Sequence, residues 1–170
     1  NYPWRDNKDL YSLVLAELLL QRTNADKVEA IYTDLVRRYP VPSKLANADR
    51  EELASLIKPL GLFSRVYILQ SVASDISNLN VGNLTYERLL KIKGIGPYIA
   101  ASVAIHFMGK RVGILDPNII RIYERVFGYK SNSKRARNDR KLIEFSKNLL
   151  PRSQPSRYIY SLLDFGALIC

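Results

Sequence analysis

The chain has one cysteine, Cys170, one histidine, His106, one methionine and one tryptophan. A single cysteine excludes an internal disulfide and fits a reducing compartment. A single histidine gives little support to a nitrogen-sulfur metal site or a Ser-His pair, and His106 reads as a packing or surface residue. Long apolar runs are missing: no stretch approaches the roughly 20 residues that a membrane-spanning helix needs. Internal repeats and low-complexity tracts are missing too. Negative charge is scarce, with 16 acidic residues against 26 basic ones and a formal charge of +10. The corresponding isoelectric point is about 9.8. Such a surface favours a polyanionic partner, with nucleic acid ahead of a membrane surface. No signal peptide is visible, but the first residue is Asn1 rather than a start methionine, so this says little about targeting.

What is present is helical. At 170 residues the chain can bury a core in one or two lobes. Apolar spacing predicts helices over about 9–22, 24–39, a stretch capped by Asn47 or Asp49 and ending near Pro59 to Gly61, 64–79, 85–91, 97–108, 116–127, 139–149 and 156–169. Strand-like alternation is brief at most, for example around Arg111 to Leu115. The basic run Lys130 to Lys141 reads as a connector, either a solvated loop or a phosphate-contacting arm.

The segment Lys91-Ile92-Lys93-Gly94-Ile95-Gly96-Pro97-Tyr98 joins two of these helices. Glycines free the backbone there, Ile95 can bury its side chain, and the neighbouring N–H groups can meet a phosphate at a helix N-terminus. Lys91 and Lys93 add positive charge. A bare Gly-x-Gly is also an ordinary helix-helix turn, so placement and lysines carry the binding reading. The small residues that follow, Ala100, Ala101, Ser102 and Ala104, let a neighbouring helix approach closely.

Asp116 lies directly before Pro117, the pattern of a helix N-cap. Helix N–H groups and the macrodipole are expected to keep its carboxylate ionised. An ionised carboxylate beside a sugar can stabilise an oxocarbenium-like transition state. Glu17 is the lone charge between Asp9 and Arg22, on the helix face shared by Leu10, Leu13, Val14, Leu18 and Gln21. It needs a partner, a wet cleft or a proton. It suits a proton donor or a water-positioning group, or else a structural bond to backbone or a buried arginine. Trp4 reads as core, and Asp164 as a buried salt bridge or cap.

Together the segments PWR at 3–5, AELLLQRT at 16–23, KIKGIGPYIA at 91–100, ILDPNIIRIYERVFG at 114–128 and LLDFGALIC at 162–170 resemble the helix-hairpin-helix, Gly/Pro-rich, catalytic-Asp superfamily of DNA base-excision glycosylases, which includes endonuclease III. The thymine-DNA mismatch branch is most similar, followed by the adenine glycosylases.

The resemblance implies an all-α fold of two helical lobes with DNA in the cleft between them. One lobe would be the six-helix barrel-like module of residues 9–128, the other residues 1–8 plus 129–170. It implies a monomer acting on double-stranded DNA with a mismatched or damaged base, and no membrane role. The setting would be the cytoplasm or nucleoid of a prokaryote, or the nucleus of a eukaryote. Asp116 matches the catalytic aspartate and Glu17 the active-site glutamate. Tyr98 stands where bifunctional members carry a nucleophilic lysine, which implies a water nucleophile and no strand cutting. Asn118, Gln21 and Arg22 match DNA-contacting positions, the last two where a side chain fills the gap left by a flipped base. Gly94, Ile95, Gly96, Lys91 and Lys93 match the DNA-binding hairpin. The backbone carbonyls of Leu90, Ile92 and Ile95 match a monovalent-cation site. Cys170 matches the first of four cysteines that hold a [4Fe-4S] cluster in many relatives. A cluster is expected only if the natural chain continues with three more, and this chain by itself is expected to carry no cofactor. The expected reaction is removal of thymine or uracil opposite guanine. Adenine removal opposite guanine or oxidised guanine, and a non-catalytic DNA-binding module, are the alternatives.

Overall fold

The computed structural model describes every residue except Asn1, Asn7, Lys8, Leu62, Phe63, Ser64, Asn132 and Lys134. The expected helix start at Ser64, part of the segment 1–8 and two residues of the basic connector therefore lie outside the described residues. Among the described residues there are eleven α-helices and no strand. The fold is all-α. They fall into two compact units, Asn1–Val103 and Ala104–Cys170. The sequence reading drew one lobe as 9–128 and the other as 1–8 plus 129–170.

The first unit is built around α2 (Leu10–Leu20), capped by Asp9, whose carboxylate accepts the Ser12 N–H at 2.8 Å. Leu10 to Ala16, Leu18 and Leu19 are all buried, and Glu17 and Leu20 are half-buried, so α2 has no broad solvent face. A helix apolar all round belongs in the middle of a core. Short α1 (Pro3–Asp6) precedes it, with Trp4 buried and stacked on Tyr2 at 4.7 Å between ring centres. Helix α3 (Ala25–Arg38) is two-sided and buries Val28, Tyr32 and Leu35. Helix α4 (Pro42–Ala46) was not expected, because Pro40 and Pro42 read only as a stop. Pro42 instead opens a new helix at its first position, where its missing N–H costs nothing.

Helix α5 (Arg50–Ile57) starts at Asp49, which accepts N–H bonds from Glu51 and Glu52. Helix α6 (Val66–Ser77) packs on α4. Its buried Gln70 donates to the Ala48 carbonyl at 2.7 Å and accepts from Arg50 Nε at 3.2 Å, so a polar side chain closes that corner. Helix α7 (Tyr86–Leu89), capped by Thr85, leads into the hairpin and α8 (Pro97–His106).

In the second unit an extended, unpaired segment runs from Lys110 to α9 (Pro117–Phe127). The alternation at Arg111 to Leu115 reflects this segment, held by a side chain rather than a neighbouring strand. Buried Ser146 of α10 (Arg140–Leu149) donates to the Ile114 carbonyl at 2.8 Å and accepts the Ile114 N–H at 3.3 Å. Gly113 crosses α10 so closely that a Cβ there would lie 2.0 Å from the Ile143 carbonyl oxygen. Helix α9 ends at Gly128 in the left-handed region, and α11 (Pro155–Leu168) packs along α9. His106 stacks on Tyr160 of α11 at 4.1 Å, as a packing residue would, and its Nδ1 lies 2.6 Å from Ser156 Oγ, a Ser-His contact to which the sequence reading gave little support.

Candidate active site

The hairpin is a run of tight turns. The Ile92 N–H donates to the Leu89 carbonyl at 3.1 Å, Ile95 N–H to Ile92 at 3.0 Å, and Ala100 N–H to Gly96 at 3.0 Å. Its two glycines do different work. Gly94 has φ +106°, and a Cβ there would sit 2.7 Å from Ile68 Cγ2 and 3.0 Å from Val72 Cγ2, so the packing on α6 requires glycine. Gly96 has nothing within 4 Å of a would-be Cβ. Its bareness leaves the N-terminus of α8 open, which is what close approach of an anion needs. Ile95 is buried, while Lys91 and Lys93 are exposed beside the turn. The Ile92 carbonyl, one of the three matched to a cation site, already accepts the Ile95 N–H and has its second lone pair left to offer. Among the described residues no cluster of three or more His, Cys, Asp or Glu could hold a metal.

Tyr98 is half-buried in the first turn of α8, and Ser102 lies one turn further on the same face. Ser102 is fully buried, and its hydroxyl donates to Glu17 Oε1 at 2.5 Å. Glu17 therefore meets a hydroxyl of another helix. Sequence reasoning gave Ser102 no role beyond its small size. The signal lay in its spacing from Tyr98.

Gln21 and Arg22 form the exposed corner after α2. Arg22 is in the left-handed region with φ 61°, uncommon for a residue with a side chain. Arg65 braces the end of α2 by donating to the Leu18 carbonyl at 2.9 Å. Burial lowers the Arg65 pKa, and the Arg22 charge lowers it further.

In the second unit Asp116 caps α9, with Oδ1 accepting the Ile119 N–H at 2.8 Å. Burial raises its pKa above the ordinary value, against opposition from the Ile119 and Asn118 N–H groups and the Arg121 charge. The sequence reading weighed only the opposing groups; desolvation outweighs them. Asn118, two positions along, accepts from Arg121 at 2.8 Å, and Arg121 also donates to the Gly166 carbonyl. That bond turns the amide oxygen of Asn118 toward Arg121 and uses one of its two lone pairs, and the N–H2 end is the donor Asn118 can offer a ligand.

The raised pKa has a kinetic consequence if the reaction uses the ionised carboxylate. Protonation on the acid side removes the active form, and an upward shift moves that loss to higher pH. Single-turnover rates followed from neutral pH downward should begin to fall above the ordinary carboxylate range of about pH 4. A rate still level at that point would show that the protonation state of Asp116 does not limit the reaction.

Residues 15–147 match the HhH-GPD superfamily base excision DNA repair protein family. The chain is similar to a thymine/uracil-DNA glycosylase of Pyrobaculum aerophilum, 36% identical over 99% of this chain and 75% of that protein. It is also similar to a thymine-DNA glycosylase of Aeropyrum pernix, 35% identical over 99% of this chain and 78% of that protein. Among solved structures, a thermostable thymine-DNA glycosylase superposes with a TM-score of 0.89 at 30% identity, covering 100% of this chain and 79% of that one. The match takes in the hairpin, Asp116 and Glu17, and the chain belongs to the HhH-GPD superfamily of base excision DNA repair proteins.

Proposed function

We propose that this chain is a monofunctional DNA glycosylase that hydrolyses the N-glycosidic bond of thymine or uracil opposite guanine. The observation that carries the reading is the placement of Asp116, a partly buried carboxylate fixed by the N–H groups that open α9. The substrate is double-stranded DNA with one mispaired base, bound by a monomer in the compartment that holds the genome. The +10 charge and the N-terminus of α8, with exposed Lys91 and Lys93 in the hairpin before it, suit the phosphate backbone. A cation on the carbonyls of Leu90, Ile92 and Ile95 would reinforce that hairpin.

Gln21 and Arg22 fill the gap in the stack as the target base turns out, and a mispaired base is the cheapest to extrude. Water adds to C1′ of the deoxyribose. The C1′–N1 bond breaks, and its electron pair leaves with the base, which then takes up a proton. Asp116 carries the charge opposite the developing sugar cation. Glu17 orients the water and accepts its proton. Asn118 supplies an amide donor to the DNA, and Tyr98 lines the base pocket.

A phenol cannot form the Schiff base that strand cleavage through a lysine uses, so the product is an abasic site in an intact strand. Cys170 is the one cysteine here, with its Sγ 3.3 Å from the Arg125 guanidinium. One thiolate cannot hold a [4Fe-4S] cluster, and no step above uses one.

The test is a panel of duplexes with G:T, G:U, A:G or no mispair, each incubated with the protein, treated with alkali and resolved on a gel. Breaks should appear on G:T and G:U only after alkali, and borohydride should trap no covalent protein-DNA adduct. Efficient trapping would overturn the lyase-free assignment. Release confined to adenine would move the chain to the adenine branch. Binding with no abasic product on any duplex would leave a non-catalytic module.

A further inference from the structure

Ser102 is fully buried in α8, between Ala101, Val103, Ala104 and Ile105, which are buried as well. A hydroxyl in such surroundings must find a partner. The usual one for a serine inside a helix is the carbonyl one turn back. Here the hydroxyl reaches across to Glu17 Oε1 at 2.5 Å, a residue 85 positions away. It joins α2, an otherwise apolar and buried helix, to the helix that carries Tyr98 and follows the hairpin.

A glutamate has several rotatable bonds, and a carboxylate that must aim a water gains from being fixed before substrate arrives. A lysine or arginine in this place would pair with the charge. A serine hydroxyl can orient a carboxylate without bringing a second charge to it. The bond is also directional, because a hydroxyl has one proton to give.

We propose that Ser102 is a positioning residue of the glycosylase reaction, holding the Glu17 carboxylate in the orientation in which it acts on the attacking water. This rests on the reading of Glu17 as a participant in hydrolysis. The structural alternative is that Ser102 only satisfies a buried carboxylate for the sake of the fold. The two differ in what they couple to. A positioning residue acts through Glu17 alone, so its loss changes the rate only while Glu17 is functional.

The experiment is a double-mutant cycle read by single-turnover base release from a duplex with one G:T mispair. It compares the parent protein, Ser102→Ala, Glu17→Gln and the double variant, with duplex affinity and melting temperature measured for each. Removing a hydrogen bond to a charged group should slow release by about tenfold in Ser102→Ala. Affinity should be unchanged, and the serine change should cost nothing more once Glu17 is glutamine. A slow Glu17→Gln with a normal Ser102→Ala overturns the positioning role alone. So does an equal loss from the serine change in both backgrounds, which marks a general structural effect. A normal rate for Glu17→Gln removes Glu17 from the reaction and overturns the reading beneath the proposal. If Ser102→Ala does not fold, Ser102→Cys, close in size and a weak donor, takes its place in the cycle. Its rate should also fall, and a rate equal to the parent's beside a slow Glu17→Gln overturns the proposal.

Discussion

Asp116→Asn is expected to bind mispaired DNA as the parent does and to lose base release by about 100-fold or more. The substitution separates two roles of one side chain. As an N-cap, asparagine is as good as aspartate, since its amide oxygen can accept the Ile119 N–H in the same way. Helix α9 should therefore keep its start, and Pro117 its place. As an electrostatic partner, asparagine fails, because a neutral amide cannot balance a developing sugar cation. Burial strengthens the contrast: a charge shielded from water interacts more strongly with its target. Single-turnover release from a G:T or G:U duplex measures the electrostatic loss, and equilibrium binding measures whether the capped helix is kept. Release within a few-fold of the parent would take Asp116 out of the mechanism. Lost binding along with lost release would mean that the cap had failed too, and a melting curve would reveal it.

Gly113→Ala should destabilise the protein by about 3 kcal/mol or more, from overpacking at a site that cannot relax. The added Cβ would lie 2.0 Å from the Ile143 carbonyl oxygen and 2.8 Å from Ile143 Cγ2. The first of these is backbone within a helix, and it cannot rotate away as a side-chain tip could. Either α10 or the extended segment must shift. The Ser146 bonds to Ile114 tie both to the same place. For a chain of this size the melting temperature should fall by roughly 10 °C. Activity should fall further than stability alone requires, because the displaced segment runs straight into Asp116. A melt within about 2 °C of the parent would show that the close crossing yields easily.

The sequence made α9 legible in full: an aspartate cap, a proline at the first position and a glycine at the close are local signals that need no tertiary knowledge. The hairpin was legible for the same reason. The resemblance named Asp116, Glu17 and Tyr98 as the reacting set. Helix α4 was not legible, because five residues are too few to show a period and its prolines read as punctuation. Ser102 and Ser146 were missed because their partners, Glu17 and Ile114, are distant in sequence and met only through packing. The upward shift of the Asp116 pKa was missed for a related reason. Its caps are encoded nearby, whereas its desolvation comes from burial in the folded unit.

The corner at Arg22 shows what this chain tolerates at its surface. A side chain at φ 61° costs roughly 1 kcal/mol or more that glycine would not incur. Arg22 is exposed at the α2–α3 corner. Robustness has been given up at this point to keep a long cation on a sharp bend. Glycine there would remove that cost, and on the proposed role of this corner it would leave Gln21 alone to fill the space of an everted base.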